Sequence, residues 1–364
     1  MISDRPATGG ILIRLPNWVG DIMMALPALA SLRAAFPDER LVGMARPQHA
    51  ALAERISYLD EVVLAPPRKG AGRPVSGLTI IRDLRRAGLE RAVLLAPSFE
   101  AALTARLAGI PVRVGHDTDH RKALLTNPVK VRDAHRVDGF LDVVGEVGAT
   151  AGHRDRRGDG GGNGDGRGLE LTDVDRAYVD RLFEGACFDA DARPVFVNPA
   201  AAKTPRAWAS DRFRGLADGL VERHPDIPVL VHGHSPFEAP KGWPERRSVC
   251  LVRDASLPEL AAVMERCALY VGNDSGPMHV AAALGIPTVG IYGSSSPDRT
   301  SPRSPSGAPH TVVSADFECS PCRERFFDEC PSPPTADRRP PCLDAITLEM
   351  VLSAVDAALA RRVP

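Results

Sequence analysis

Residues 268–293, Ala-Leu-Tyr-Val-Gly-Asn-Asp-Ser-Gly-Pro-Met-His-Val-Ala-Ala-Ala-Leu-Gly-Ile-Pro-Thr-Val-Gly-Ile-Tyr-Gly, combine the residue types that can hold a phosphate. A helix start surrounded by small residues offers backbone N–H groups and a partial positive charge. Asn273, Asp274 and Ser275 are N-cap types. Gly276 lets the backbone approach a ligand, and Pro277 suits the first helical turn. The Asp274 carboxylate repels phosphate but accepts hydrogen bonds from hydroxyls, so the turn also points to a ribose or sugar. His279 lies within two turns of the same end. The plain alternative is a βαβ crossover in which Asp274 only caps and His279 is a core residue.

A second candidate is Asp21. It follows an apolar run, Ile11 to Leu15, and the loop Pro16-Asn17-Trp18-Val19, and with Gly20 it opens a helix. That places it at the carboxyl edge of a sheet, where open α/β folds bind ligands and a general base would stand. Otherwise Asp21 complements a helix dipole, worth ~0.3–1 kcal/mol. A third stretch, 198–208, links a strand to a helix and carries two cations, Lys203 and Arg206, before Trp208. Cys319, Cys322, Cys330 and Cys342 crowd one Pro-rich loop. Four thiolates can close around zinc, but beyond the first pair this spacing matches no common ribbon, and reduced thiols in a loop are the favoured reading.

These residues need a scaffold of alternating strands and helices. Strands are expected at 11–15, 41–45, 61–65, 91–96 and 111–115, with helices from Gly20 and at 76–87, 101–108 and 137–147. Pro27 should kink or break the first helix. Residues 152–168 contain no apolar side chain and read as a mobile linker. Beyond it, helices at 173–186, 211–223 and 256–266 alternate with strands at 194–198 and 227–232. The 268–293 unit, a strand at 311–313, the Cys-rich loop 314–344 and a last helix, 346–361, follow. The pattern predicts two doubly wound α/β domains facing a cleft, 1–151 and 169–345, with 346–364 as a C-terminal helix.

The length of 364 residues suits two such domains. A net charge of −1 gives no global pull toward nucleic acid or membrane, so any such affinity must be local. No apolar run is long enough to cross a bilayer, and the first ten residues lack a secretory pattern. A cytoplasmic protein is expected, one that touches a membrane only peripherally.

The run from Asn273 to Pro287, followed by Tyr292-Gly293-Ser294-Ser295-Ser296-Pro297, resembles the nucleotide-binding signature of glycosyltransferase family 9, the ADP-heptose:lipopolysaccharide heptosyltransferases. Trp18-Val19-Gly20-Asp21-Ile22-Met23-Met24 is similar to the family's amino-terminal motif, in the branch that adds the second heptose. The resemblance implies the GT-B fold and inverting transfer from ADP-heptose to the anionic inner core of lipopolysaccharide, without a metal or other cofactor. It implies Asp21 as general base and substrate contacts from Asn17, Gly20, Trp208, Asn273, Asp274, Ser275, Gly276 and His279. In the family a Lys shortly before a Trp binds the diphosphate. Here Arg206 takes that place ahead of Trp208, with Lys203 as the other cation in reach. Glu238 corresponds loosely to a ribose-binding acid. Arg68, Arg113 and Arg121 lie in basic loops that would meet the acceptor or lipid headgroups, although Asp117 and Asp119 dilute the second loop. Rival functions are transfer of another sugar to another surface glycan, a nucleotide-sugar-binding protein without turnover, and an epimerase of the same fold.

Overall fold

The computed structural model describes residues 9–65, 77–149, 168–186, 188–201, 206–233, 249–322 and 340–361. Residues 152–167 of the expected linker, together with Arg68, Lys203, Glu238 and Cys330, lie outside them.

The chain divides into two compact units, Met1–Glu170 and Leu171–Pro364. The first holds β1 (Gly10–Arg14), β2 (Arg40–Ala45), β3 (Glu61–Leu64), β4 (Arg91–Leu94), β5 (Val112–His116) and β6 (Asn127–Val129). They form one parallel sheet in the order β3-β2-β1-β4-β5-β6. The second holds β7 (Val195–Asn198), β8 (Val229–His232), β9 (Val249–Val252), β10 (Leu269–Asn273), β11 (Thr288–Ile291) and β12 (His310–Val313). Their order, β12-β11-β10-β7-β8-β9, is the same Rossmann-type winding. The switch points therefore lie between β1 and β4 and between β7 and β10. The α/β, doubly wound class expected from sequence is the one observed.

The central strands are apolar because both their faces are covered. All of β1, β7 and β10 is buried. In the first unit Leu12, Val42 and Leu94 meet Leu84, Ala102 and Ile110. In the second, Val197, Val231 and Val271 meet Phe213, Leu216 and Val355. Pro27 acts as expected. Helix Val19–Met24 ends at Ala25, and a second helix, Leu26–Ala35, starts with Pro27 in its first turn. Two edge strands were not read from the sequence. β6 is three residues long and contains Pro128, which only an edge tolerates. β9 is a four-residue run, Val-Cys-Leu-Val.

Two boundaries move. Residues 168–170 return to the first unit, where Leu169 bridges Ile56 and the Glu170 N–H donates to Arg55 O at 2.7 Å. Cys342 is not a loop thiol but a buried core residue on the short helix Pro341–Asp344, beside Leu343 and Ile346. Among the described residues no group of three or more His, Cys, Asp or Glu could hold a metal ion.

β7 and β10 approach closely at Gly272, where a Cβ would stand 2.4 Å from Asn198 O. Gly272→Ala is expected to lower stability by about 1–3 kcal/mol, read from urea unfolding. A change below about 0.5 kcal/mol would show that the switch point tolerates widening.

Candidate active site

The second unit's switch point is built from the ends of β7 and β10. Asn198, fully buried, donates through Nδ2 to the Tyr270 hydroxyl (2.8 Å) and to Ser275 Oγ (3.0 Å). Its Oδ1 meets His232 Nδ1 at 2.8 Å. Asn273 ties the next layer. Its Oδ1 accepts the Trp208 N–H at 2.9 Å, and its Nδ2 donates to Pro199 O at 2.8 Å. These amides fix the loop after β7 against the turn after β10.

That turn leads into helix Gly276–Ala283, whose N-cap, Ser275, is extended and makes no side-chain capping bond. Pro277 has no N–H, and the Met278 N–H turns back to Ser275 O at 3.1 Å. The Gly276 amide is left at the helix start among the described residues, together with the positive end of the dipole. The Asp274 amide is engaged elsewhere, donating to Ile291 O at 3.2 Å.

The Asp274 side chain is 3% exposed. Arg206 Nη1 stands 3.5 Å from its Oδ2, and His279 Nε2 stands 3.9 Å from Oδ1. Among the described residues, Oδ2 accepts no hydrogen bond. Burial pushes the Asp274 carboxyl above its ordinary value, and the Arg206 charge, a Ser295 hydrogen bond and His310 oppose that rise. Behind it, His310 on β12 meets Thr288 Oγ1 at 2.7 Å and the Tyr292 hydroxyl at 3.1 Å. Burial first, then the neighbouring His279 charge, lowers His310 to about 4. Burial raises both the Tyr270 and Tyr292 hydroxyls, so they act as neutral hydrogen-bonding groups.

The first unit's counterpart lies past β1. Asp21 sits in the first turn of Val19–Met24, above the buried Gly20, with Arg136 Nε 3.5 Å from its Oδ1. The preceding loop is clamped by side chains that sequence reasoning missed. Arg14 Nη2 donates to Asn17 Oδ1 at 2.8 Å, and Arg46 Nε reaches the same oxygen at 3.3 Å. His49 Nε2 lies 3.1 Å from Asn17 O, and Glu100 pairs with Arg46 at 3.0 Å. Burial, then the Arg46 charge, lowers Arg14 to about 10, while Glu100 opposes the change. Arg14 and Arg46 stand at the carboxyl ends of neighbouring strands, the one pattern that could have flagged them.

Several expected ligand contacts are structural instead. Trp208 is a core residue. Its ring packs edge-on against Phe213 at 5.0 Å, and its Nε1 donates to Ile346 O at 2.9 Å. Asn273 has both ends of its amide engaged, as above. Arg121 is 0% exposed, and its guanidinium serves the carbonyls of Ala96, Leu94 and His116. It cannot belong to a basic acceptor surface. Arg113 likewise donates to Ile110 O, Pro111 O and Leu124 O. The structure brings together Arg206, Asp274, Ser275, Gly276 and His279 in the second unit, and Asn17, Gly20 and Asp21 in the first.

Residues 78–330 match glycosyltransferase family 9 (heptosyltransferase). The chain belongs to that family. As a family 9 member it is a glycosyltransferase, although Asp21 lies ahead of the matched span. It is 28% identical over 313 residues to "Lipopolysaccharide heptosyltransferase 2" of Escherichia coli K12, covering 81% of this chain and 85% of that one. The structure of the E. coli ADP-heptose LPS heptosyltransferase II superposes with a TM-score of 0.73 at 22% identity, covering 97% of this chain and 99% of that one. A family 9 glycosyltransferase from Veillonella parvula gives 0.74 at 20% identity, covering 99% and 100%. Those likenesses carry the GT-B fold class.

His310 yields a pH prediction. The folded chain binds its proton near pH 4, whereas the unfolded chain binds it near 6.5. As pH falls from 6.5 to about 4, the unfolded state gains a proton that the native state refuses, so stability is lost across that window. His310→Asn should flatten that part of a melting temperature–pH profile. Parallel profiles for the two proteins would contradict the assignment.

Proposed function

We propose that this family 9 enzyme transfers a heptose from ADP-heptose to the inner core of lipopolysaccharide, with inversion and without a metal. The observation that carries the reading is the uncapped start of helix Gly276–Ala283 beside the Arg206–Asp274 pair. An amide, a helix dipole and a guanidinium at one sheet edge supply what a leaving diphosphate needs. The buried Asp274 Oδ2, which accepts no hydrogen bond from the described residues, gives a sugar or ribose hydroxyl a partner once the donor displaces its surroundings. His279 stands at the same carboxylate, and Lys203 and Glu238 are further candidate contacts.

In this scheme Asp21 takes the proton of the acceptor hydroxyl. The oxygen attacks the anomeric carbon, the bond from that carbon to the phosphate oxygen breaks, and ADP departs with the electron pair. Arg136 holds the Asp21 carboxylate, and the Arg14–Asn17–Arg46 clamp holds the loop that carries it. The names of the relatives support lipopolysaccharide as acceptor, and the Trp18–Met24 motif favours addition of the second heptose. An acceptor anchored in a bilayer calls for a cytoplasmic enzyme working at the inner face of the membrane. No described helix is long and apolar enough to cross a membrane, which is compatible with a peripheral contact.

A mass-resolved screen of nucleotide sugars against a core oligosaccharide, run with and without chelator, tests the reading. Transfer of one heptose from ADP-heptose, unchanged by chelator, is expected. Asp21→Asn should lower kcat by about 10²–10⁴-fold with little change in the KM for donor. Transfer of a different sugar, a strict need for a divalent ion, or full activity in Asp21→Asn would each overturn the corresponding part.

A further inference from the structure

Helix Gly77–Arg86 buries Ile80 and Leu84 against the first sheet's core. Its other face carries Leu78, Arg82, Arg85 and Arg86, at i, i+4, i+7 and i+8, and all four are exposed. Arg85 Nη2 donates to Leu107 O at 2.6 Å. That bond joins the face to the end of helix Phe99–Leu107, where Arg106 and Leu107 are also exposed. Leu78 is 77% exposed and Leu107 46%. One carboxylate, Asp83, lies on the flank, 3.9 Å from Arg82. Four guanidinium groups and one carboxylate leave this face strongly positive on a chain whose overall charge is −1.

We propose that this face docks the first unit on an anionic phospholipid bilayer, with the arginines among the headgroups and Leu78 and Leu107 at the acyl boundary. It gives the peripheral placement proposed above a defined surface and rests on that reading only for its purpose. Cationic side chains beside protruding aliphatic ones are the two halves of an interfacial contact. A nucleic acid would attract the same charge, but the exposed members of this face include no aromatic side chain on which a base could stack. Leucine gains by leaving water for an apolar layer, which phosphates do not offer.

Binding of the full chain to phosphatidylcholine vesicles and to phosphatidylcholine–phosphatidylglycerol vesicles, without donor or acceptor, tests the proposal. Binding should need the anionic lipid and weaken as NaCl rises. Each basic residue near an anionic leaflet is worth about fivefold in partitioning, so R82Q/R86Q/R106Q should lower it on the order of 100-fold. Leu78→Ser should lower it several-fold without altering the salt dependence. Arg85 is left intact because it holds Leu107 O. Unaltered circular dichroism and melting temperature would show that the variants fold, and the salt titration of the unsubstituted protein needs no variant at all. Equal binding to neutral vesicles, retention by the triple variant, equal affinity for a DNA duplex, or binding only when lipopolysaccharide is added would overturn the proposal. Vesicle binding without heptose transfer would instead count against the functional reading alone. Transfer to a water-soluble acceptor should be unchanged in the triple variant.

Discussion

A carboxylate stays ionised inside a protein only if something nearby makes up for lost water. Asp274, just past the end of β10, meets that demand from two sides, with Arg206 near one oxygen and His279 near the other. Burial favours its neutral form and Arg206 favours the charged one. The pair also fixes where cationic and anionic groups stand around an amide that starts a helix. A diphosphate and a hydroxylated sugar need opposite partners, and here both kinds lie within one turn of backbone. The Asn198 and Asn273 networks serve this arrangement. They tie Asn198, Pro199 and Trp208, which flank Arg206 in the chain, to the turn after β10.

The same winding occurs twice, and the two switch points are furnished differently. Past β7 and β10 stand neutral hydroxyls and amides around one ion pair. Beside the β1–β4 switch point, Arg14 at the end of β1 and Arg46 just after β2 converge on the single amide oxygen of Asn17. The first suits recognition of a polyhydroxylated, phosphorylated ligand. The second suits rigidity, because two buried guanidinium groups leave the loop before Asp21 little freedom. The general-base role proposed for Asp21 would gain from such a mount.

Much of this was legible in the chain. The apolar runs, the Pro27 break and the cap types at 273–276 predict the parallel sheets and the helix start because local preferences and tertiary demands agree there. What the sequence conceals is which polar side chains turn inward. Arg121 sits in a basic loop, yet its guanidinium closes four backbone carbonyls. Trp208 sits beside the diphosphate candidate, yet its ring fills the core and its indole N–H satisfies Ile346. A backbone carbonyl that needs a donor leaves no mark in the sequence, so these roles could not be read from residue type. Cys342 shows the reverse case, a residue assigned to a loop by its Pro-rich neighbours that packs as an ordinary small apolar side chain. β6 and β9, three and four residues long, carry too little periodicity to be read as strands.

The central claim is that Arg206 and the Gly276 helix start hold a diphosphate without a metal. Calorimetric titration of ADP into the chelator-treated protein tests it most directly, with Arg206→Gln measured alongside. The account predicts binding in the absence of divalent ions and a loss of about tenfold or more in the variant, the scale of one charged hydrogen bond. Binding that appears only with added magnesium, or equal affinity in the two proteins, would contradict it.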